Sequence, residues 1–164
     1  MKKTLIIVRH AHTFDPNPGQ ADHERDLTPE GKLQARQSAE WLKEEGNLPK
    51  KIVASFANRT QQTASIFAEV IFGDGQNYVA EKELYHAKEN DLLDFIKENF
   101  TSEESLMLVG HNPSVTQFAI RLGATTVSYL PPASVIVLAF EISEWSELKF
   151  HTGKLLDKRL TDEN

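Results

Sequence analysis

The stretch LIIVRHA, residues 5–11, decides the fold, because an apolar run ends abruptly in the polar pair Arg9-His10. A short continuous apolar run of this kind predicts a strand that is buried on both faces. The stretch LMLVGHNP, residues 106–113, repeats the form and carries His111 after its apolar run. Both runs are therefore expected as central strands of a sheet, each with a histidine at its C-terminal end.

Helix signals alternate with these strands. Thr28-Pro29 predicts the cap and first residue of a helix that runs to Glu45 and stops at Gly46. Asn58 is predicted to cap a second helix, with Gly73 past its end. The remaining predicted elements are strand 51–54, helix 91–99, a helix that starts at Asn112-Pro113, and strands 134–140 and 147–151.

This alternation predicts an α/β protein, namely a three-layer α/β/α sandwich with a mostly parallel central sheet. The last two strands can pair as a hairpin, which would make the sheet mixed. The length suits one domain over residues 1–164. The polar residues 155–164 are expected to form a loosely ordered tail.

Composition narrows the possible functions. The chain has 164 residues, a formal net charge of −6 and no cysteine, which excludes disulfides, thiolate metal sites and a cysteine nucleophile. The negative charge argues against general nucleic-acid binding, which depends on a basic face. The first apolar run is shorter than that of a signal peptide, and no run approaches the roughly 20 residues of a membrane span. We therefore expect a cytoplasmic protein without a membrane partner.

Four side chains are predicted to meet at one edge of the sheet. Ligands of such sheets bind beyond the C-terminal strand ends, where Arg9, His10 and His111 fall, and Arg59 lies in the first turn of the second helix. Two guanidinium forks and a helix N-terminus suit a phosphate. A histidine that donates one ring N–H to a backbone carbonyl can attack phosphorus with its other ring nitrogen. His10 is therefore assigned as nucleophile, with His111 as a protonated third cation.

Simpler interpretations of the same residues are available. Each histidine or arginine taken alone is more often structural. A metal site built from His10, His12, Asp22 and His23 is a weaker alternative, because spacing alone is poor support for it. We expect no metal and no cofactor, and we expect His86 and His151 to be surface residues.

The residues quoted above, with two further segments, resemble the histidine phosphatase superfamily, also called the phosphoglycerate mutase-like fold. LIIVRHA, SFANRTQQTA (55–64) and LMLVGHNP are similar to its Arg-His, Ser…Arg-Thr and Gly-His motifs. DHERDLTPEG (22–31) is similar to its Asp-x-x-Arg-x-Leu-Thr-x-x-Gly segment. Any one match is weak, but four in the family's order are strong. The resemblance implies a phosphoglycerate mutase-like fold.

Within the superfamily the chain resembles the SixA-type phosphohistidine phosphatases, through Arg-His-Ala, the short chain and the residues before Leu27-Thr28. This implies that His10 is the nucleophile and that Arg9, Arg59 and His111 bind phosphate. It also implies weaker substrate-binding assignments for Asp22, Arg25 and Tyr85. Asp26 and Phe56 stand where the family usually has proline, which bears on substrate preference.

The general acid is open, with Glu81, Glu83 and Asp22 as candidates. An alkoxide needs a proton to leave, whereas a protonated phosphoimidazole leaves as neutral imidazole, so a missing acid fits a P–N substrate.

The first hypothesis is a phosphatase for phosphohistidine on a protein, such as a phosphotransfer domain, or for free phosphorylated imidazole compounds. The expected partner is accordingly a phosphorylated protein or a small phosphorylated metabolite. The second is a phosphatase for small phosphate esters. The third is a non-catalytic module that binds phosphate or a phosphoprotein. Whether the loop Thr13–Gln20 closes over the ligand is left open.

Overall fold

A computed structural model describes residues 2–162. The structure has six strands and four α-helices in this part of the chain. The strands are β1 (Lys2–Arg9), β2 (Lys51–Ser55), β3 (Val79–Glu81), β4 (Ser105–Gly110), β5 (Val135–Glu141) and β6 (Lys154–Arg159). The helices are α1 (Pro29–Glu45), α2 (Asn58–Phe72), α3 (Glu89–Asn99) and α4 (Ser114–Leu122). Three short 3-10 turns occupy Asp22–Glu24, Lys82–Leu84 and Trp145–Glu147. None of the described helices is long and apolar enough to cross a membrane.

The strands form one mixed sheet in the order β3-β2-β4-β1-β5-β6. β4 pairs in parallel with both β1 and β2, and β2 pairs in parallel with β3. β5 runs antiparallel to β1 and to β6. In the central pair Arg9 lies beside Gly110, so β1 and β4 end together at the same edge. The prediction of a mostly parallel sheet is confirmed.

The sheet lies between two helical layers. Ile6 and Val8 of β1 belong to the core under α1 and α2, whereas Leu5 and Ile7 belong to the core under α3 and α4. Successive side chains of a strand point to opposite faces, and here both faces are covered. This explains why the apolar run is continuous, and it confirms the three-layer α/β/α architecture.

The start of α1 agrees with its sequence signals, but the start of α2 does not. Thr28 Oγ1 accepts a hydrogen bond from Gly31 N at 3.0 Å, and Gly46 ends the helix with a left-handed φ of 80°. Asn58 is instead the first residue of α2, after Ala57. Its amide donates to Glu24 O and to Asp26 Oδ1, at 3.2 Å each. The prediction of Asn58 as a cap is wrong, because its side chain ties α2 to a distant turn.

The start of α4 also differs from its prediction. Pro113 is the residue before the helix, and the side-chain oxygen of Asn112 accepts a hydrogen bond from Thr116 Oγ1 at 2.7 Å. Asn112 therefore braces the first turn of α4 from one residue further out than expected.

The C-terminal region departs most from its predictions. Residues 147–151 do not form a strand; the chain makes the turn Trp145–Glu147, whose Trp145 is fully buried. The last strand is β6, which pairs Val135 with Arg159. The expected loose tail is therefore wrong for residues 155–159, which are ordered by backbone pairing although alternate residues are exposed. Residues 163 and 164 of that prediction lie outside the described residues.

Candidate active site

The ends of β1 and β4 bring the two predicted histidines together. The backbone N–H of His10 donates to Gly110 O at 3.1 Å, which continues the β1–β4 pairing past the end of β1. The rings of His10 and His111 have their centroids 5.6 Å apart. The two histidines therefore lie side by side at the C-terminal edge of the sheet, as expected.

His10 is held in one orientation and in one tautomer. Its Nδ1 lies 2.8 Å from Ala11 O. A carbonyl oxygen only accepts hydrogen bonds, so Nδ1 carries the proton and Nε2 carries the lone pair. Burial lowers the pKa of His10 from 6.5 to about 3, with His111, Arg9 and Arg59 adding to the shift against the bond to Ala11. The ring is therefore neutral at pH 7, as a nitrogen nucleophile must be.

The charge of His111 depends on whether an anion lies beside it, and its protonation beside phosphate stays a prediction. Its Nε2 lies 2.9 Å from Ser55 Oγ. Burial, which is the largest cause, and Arg59 together lower its pKa to about 4, against the opposing effect of Asp22. With only these protein groups around it, His111 is neutral at pH 7, because desolvation and neighbouring cations both disfavour the imidazolium.

Arg59 is anchored by Asp22 in a two-point contact. Nη1 donates to Asp22 O and Nη2 to Asp22 Oδ2, both at 2.9 Å, and Arg59 is 7% exposed. Asp22 also accepts from Tyr85 OH and, at 3.2 Å, from Arg25 Nη1. Burial raises the pKa of Asp22, but these hydrogen bonds outweigh it and hold that pKa well below its usual range. Asp22 therefore stays ionised and is poorly suited to donate a proton.

Arg9 is also anchored, and it retains a free donor. Nη1 donates to Tyr129 OH at 2.9 Å and to Leu130 O at 3.0 Å. Within residues 2–162, the buried side-chain nitrogens and oxygens without a hydrogen-bond partner are Arg9 Nε and His111 Nδ1. Because buried polar atoms are normally satisfied, both nitrogens indicate a place for a polar group from outside the chain. Arg9 Nε can only donate, and His111 Nδ1 donates when the ring is protonated.

The weaker site predictions separate in space. Asp22 contacts the pocket through Arg59, whereas Tyr85 donates to Asp22 and packs directly against His111. Arg25 lies one step further out, because its Nε donates to Phe14 O at 3.1 Å and its Nη2 to Thr13 Oγ1 at 2.7 Å. It therefore fastens the start of the 13–20 loop to Asp22.

The two glutamates proposed as acids lie elsewhere. Glu81 is the last residue of β3 and lines a separate cavity of about 370 Å³ with Tyr78 and Val79. Glu83 is exposed in the turn Lys82–Leu84. In the described part of the chain neither glutamate hydrogen-bonds to a pocket residue, so the geometry gives no support for either as the acid.

The alternative metal site is not assembled. His12 turns towards the start of α1, where its Nδ1 lies 2.8 Å from Thr28 Oγ1. Among residues 2–162 there is no group of three histidine, aspartate or glutamate side chains placed to hold a metal ion. His12 instead links the end of β1 to the start of α1 through Thr28.

Sequence reasoning missed several partners of the pocket. Ser55 binds His111, Tyr129 and Leu130 bind Arg9, and Thr63 Oγ1 accepts from Ala11 N at 3.1 Å. Ser55 and Thr63 stand inside the SFANRTQQTA motif, so their position was a usable signal. Tyr129 lies in a segment without a motif.

Aromatic rings form the outer side of the pocket. Phe56 lies 5.0 Å from Tyr85 and 5.2 Å from His23, and Tyr85 lies 5.6 Å from His111, all between ring centroids. His86 is exposed as predicted, but its ring packs at 4.3 Å on Tyr85. His151, also exposed as predicted, takes no part in this group.

Comparison with known proteins finds a family that this chain resembles. The model of the histidine phosphatase superfamily (branch 1) matches residues 5–85. An uncharacterized protein of Mycobacterium tuberculosis is 29% identical over 153 residues, covering 87% of this chain and 92% of that protein.

Solved structures agree with this match. An Agrobacterium tumefaciens protein, provisionally named phosphohistidine phosphatase SixA, is 25% identical with a TM-score of 0.80, covering 96% of this chain and 97% of that one. The protein histidine phosphatase SixA complexed with tungstate is 16% identical with a TM-score of 0.77, covering 94% and 95%. At that identity the second likeness is one of fold. The match over the motif-bearing segment and the shared architecture make the chain similar to members of the histidine phosphatase superfamily.

Proposed function

We propose that the protein is a phosphatase that passes a phosphoryl group to His10 and then to water, with phosphohistidine as its preferred substrate. The observation that carries the proposal is the convergence of a neutral, oriented His10 with two buried nitrogens, Arg9 Nε and His111 Nδ1, that have no partner in the described chain. A phosphoryl group offers three acceptor oxygens, which suits this set of donors.

In the first step the Nε2 lone pair of His10 attacks phosphorus. The new N–P bond forms as the bond to the leaving group breaks, and the electron pair of that bond goes to the leaving nitrogen. If the substrate imidazole carries a proton on its other nitrogen, it departs as neutral imidazole. In the second step water attacks phospho-His10, the N–P bond breaks, and the water proton passes to the phosphate. His10 returns to its neutral form.

The cations stabilise charge on the transferred group. Asp22 uses two of the five N–H donors of Arg59, which leaves three for phosphoryl oxygens and fixes the plane of the guanidinium. Arg9 adds its Nε, and a dianion beside His111 favours protonation of that ring. Donors held in place in this way stabilise the transition state without reorganising.

The state of Asp22 supports a P–N substrate. The carboxyl that contacts Arg59 is held ionised, so it has no proton to give to a departing alkoxide. Imidazole leaves without such help because its conjugate acid has a pKa of about 6.5. The names of the SixA structures, one of which holds tungstate, point to the same substrate class. Accordingly, the partner is a phosphorylated protein or a small phosphorylated imidazole compound.

The test measures phosphate release from a phosphohistidine-bearing protein and from an alkyl phosphate ester, with chelator present. We expect faster release from phosphohistidine, and we expect His10→Ala to slow it about a thousandfold or more. Trapping of labelled phosphate on the wild type but not on His10→Ala would locate the intermediate. His151→Ala, which changes an exposed histidine outside the pocket group, is the matched control.

Other outcomes would change the assignment. Release only from the ester would favour a small-molecule phosphatase of the same superfamily. Phosphate binding without release from either substrate would favour a binding module. Equal turnover by the wild type and His10→Ala would contradict the covalent mechanism.

A further inference from the structure

A continuous series of rings leads outward from the nucleophile. From His10 the successive centroid distances are 5.6 Å to His111, 5.6 Å to Tyr85, 5.0 Å to Phe56 and 5.2 Å to His23. The Tyr85–His111 and Phe56–Tyr85 pairs meet edge to face, at interplanar angles of 80° and 73°. These are the spacings and angles at which aromatic groups attract one another.

The outer rings are accessible. Tyr85, Phe56 and His23 are half-buried. Tyr85 and His86 also line a cavity of about 520 Å³ that reaches His111 and Asn112. A group entering beside the phosphate donors therefore meets aromatic faces and edges, with open space next to them.

We propose that Phe56, Tyr85 and His23 form the subsite for the leaving group, and that this subsite selects planar aromatic leaving groups such as the imidazole of phosphohistidine. The inference rests on the proposed function and deepens it. With the phosphoryl oxygens held by Arg9, Arg59 and His111, the leaving group would extend outward along the rings that begin at Tyr85 beside His111. A planar ring can pack against them, whereas a flexible alkyl chain or ammonia gains less.

Phe56 is the best residue to mutate in a test of this subsite. Tyr85 also hydrogen-bonds to Asp22, so changing it would disturb Arg59. The Phe56 side chain is purely apolar, and the bond from Gln61 goes to its backbone oxygen, which every substitution keeps. Its position directly after Ser55 places the ring beside the pocket.

The experiment compares two P–N substrates, a phosphohistidine peptide and phosphoramidate, whose leaving groups are imidazole and ammonia. We expect Phe56→Leu to lower the ratio of their kcat/KM values, peptide over phosphoramidate, by about threefold to tenfold. Phe56→Tyr keeps a ring and should keep the ratio within about twofold. Phe72→Leu is the control, because Phe72 is half-buried at the far end of α2, about 20 Å along the helix from Arg59.

The outcomes separate this inference from the proposed function. An unchanged ratio in Phe56→Leu, or an equal loss in Phe56→Tyr, would overturn the aromatic subsite. Failure of the wild type on both P–N substrates, with turnover of an alkyl ester, would overturn the proposed function itself. A thermal melt of each variant verifies folding, and Phe56→Met replaces Phe56→Leu if the leucine variant does not fold.

Discussion

At the scale of single residues, the two histidines differ in what holds their second nitrogen. His10 donates to the carbonyl of Ala11, which can only accept, so its tautomer is fixed. His111 meets the hydroxyl of Ser55, which can donate or accept. The nucleophile is thus held in one form, whereas His111 can take up a proton and keep its partner.

This difference predicts how His111 behaves in an NMR titration of the imidazole nitrogens. Without added anion, His111 should titrate near pH 4, as burial and Arg59 dictate. Saturating inorganic phosphate places negative charge beside the ring, which favours the imidazolium, so the pKa of His111 should rise by at least about one unit. A pKa of His111 that stays near 4 with phosphate bound would refute its role as a third cation.

At the scale of elements, the junction of β1 and α1 holds the chain just beyond His10. His12 O accepts from Thr28 N at 3.0 Å, and His12 N donates to Gln34 Oε1 at 3.1 Å. A Cβ on Gly31 would lie 2.1 Å from His12 O, far inside contact distance. The first turn of α1 therefore rests directly on the backbone that follows the nucleophile.

Gly31→Ala should consequently be a severe change. The clash involves backbone on both sides, so either α1 or the His12 segment must move. We expect a loss of about 2 kcal/mol or more in the free energy of unfolding, together with lower activity. Urea unfolding and phosphate release measure the two effects. Glu30→Ala, at the exposed neighbouring position, should change both little, and a Gly31→Ala variant of normal stability would contradict this packing.

The elements that sequence predicts well are those whose signals are local. Thr28-Pro29 and Gly46 specify both ends of α1 through contacts within one helical turn. Asn58 misleads because its amide binds Glu24 and Asp26, which are distant in sequence. β6 misleads because an edge strand with alternating exposed residues has a polar composition.

At the scale of the whole molecule, the two buried histidines make the folded protein less stable as the pH falls. Both have a pKa of 6.5 when unfolded, lowered to about 3 for His10 and about 4 for His111 in the fold. Between these values the unfolded chain binds more protons, so the free energy of unfolding falls as pH falls. Each histidine contributes a slope of up to about 1.4 kcal/mol per pH unit.

Removal of one of these histidines should flatten that dependence. Between pH 6 and 4.5 (roughly one and a half units), we expect His10→Gln to lose less stability than the wild type, by about 2 kcal/mol. Urea unfolding at a series of pH values measures the slope. His151→Gln, which removes an exposed histidine, is the control variant. Parallel slopes for wild type and His10→Gln would contradict a neutral, buried His10.

In the pocket, too, features set by local sequence were predictable, whereas contacts between residues distant in sequence were not. Arg9, His10 and His111 follow from the rule that parallel strands end at one edge, and Arg59 follows from its helix. Which anion holds Arg59, and which hydroxyl meets His111, depends on turns that no periodicity describes. The neutral state of His111 without a bound anion does not follow from the sequence pattern either, because it depends on burial and on Arg59.

The pocket draws its groups from segments spread from Arg9 to Leu130. β1, the start of α2, the end of β4 and the segment before β5 each contribute a piece. No single piece can bind phosphate alone, so the site exists only when the whole sheet has formed. Ligand affinity is thereby linked to global folding, and an anion that fills the pocket should raise the melting temperature of the entire domain in proportion to the logarithm of its concentration. Ligand binding at this site therefore reports on whether the fold is complete.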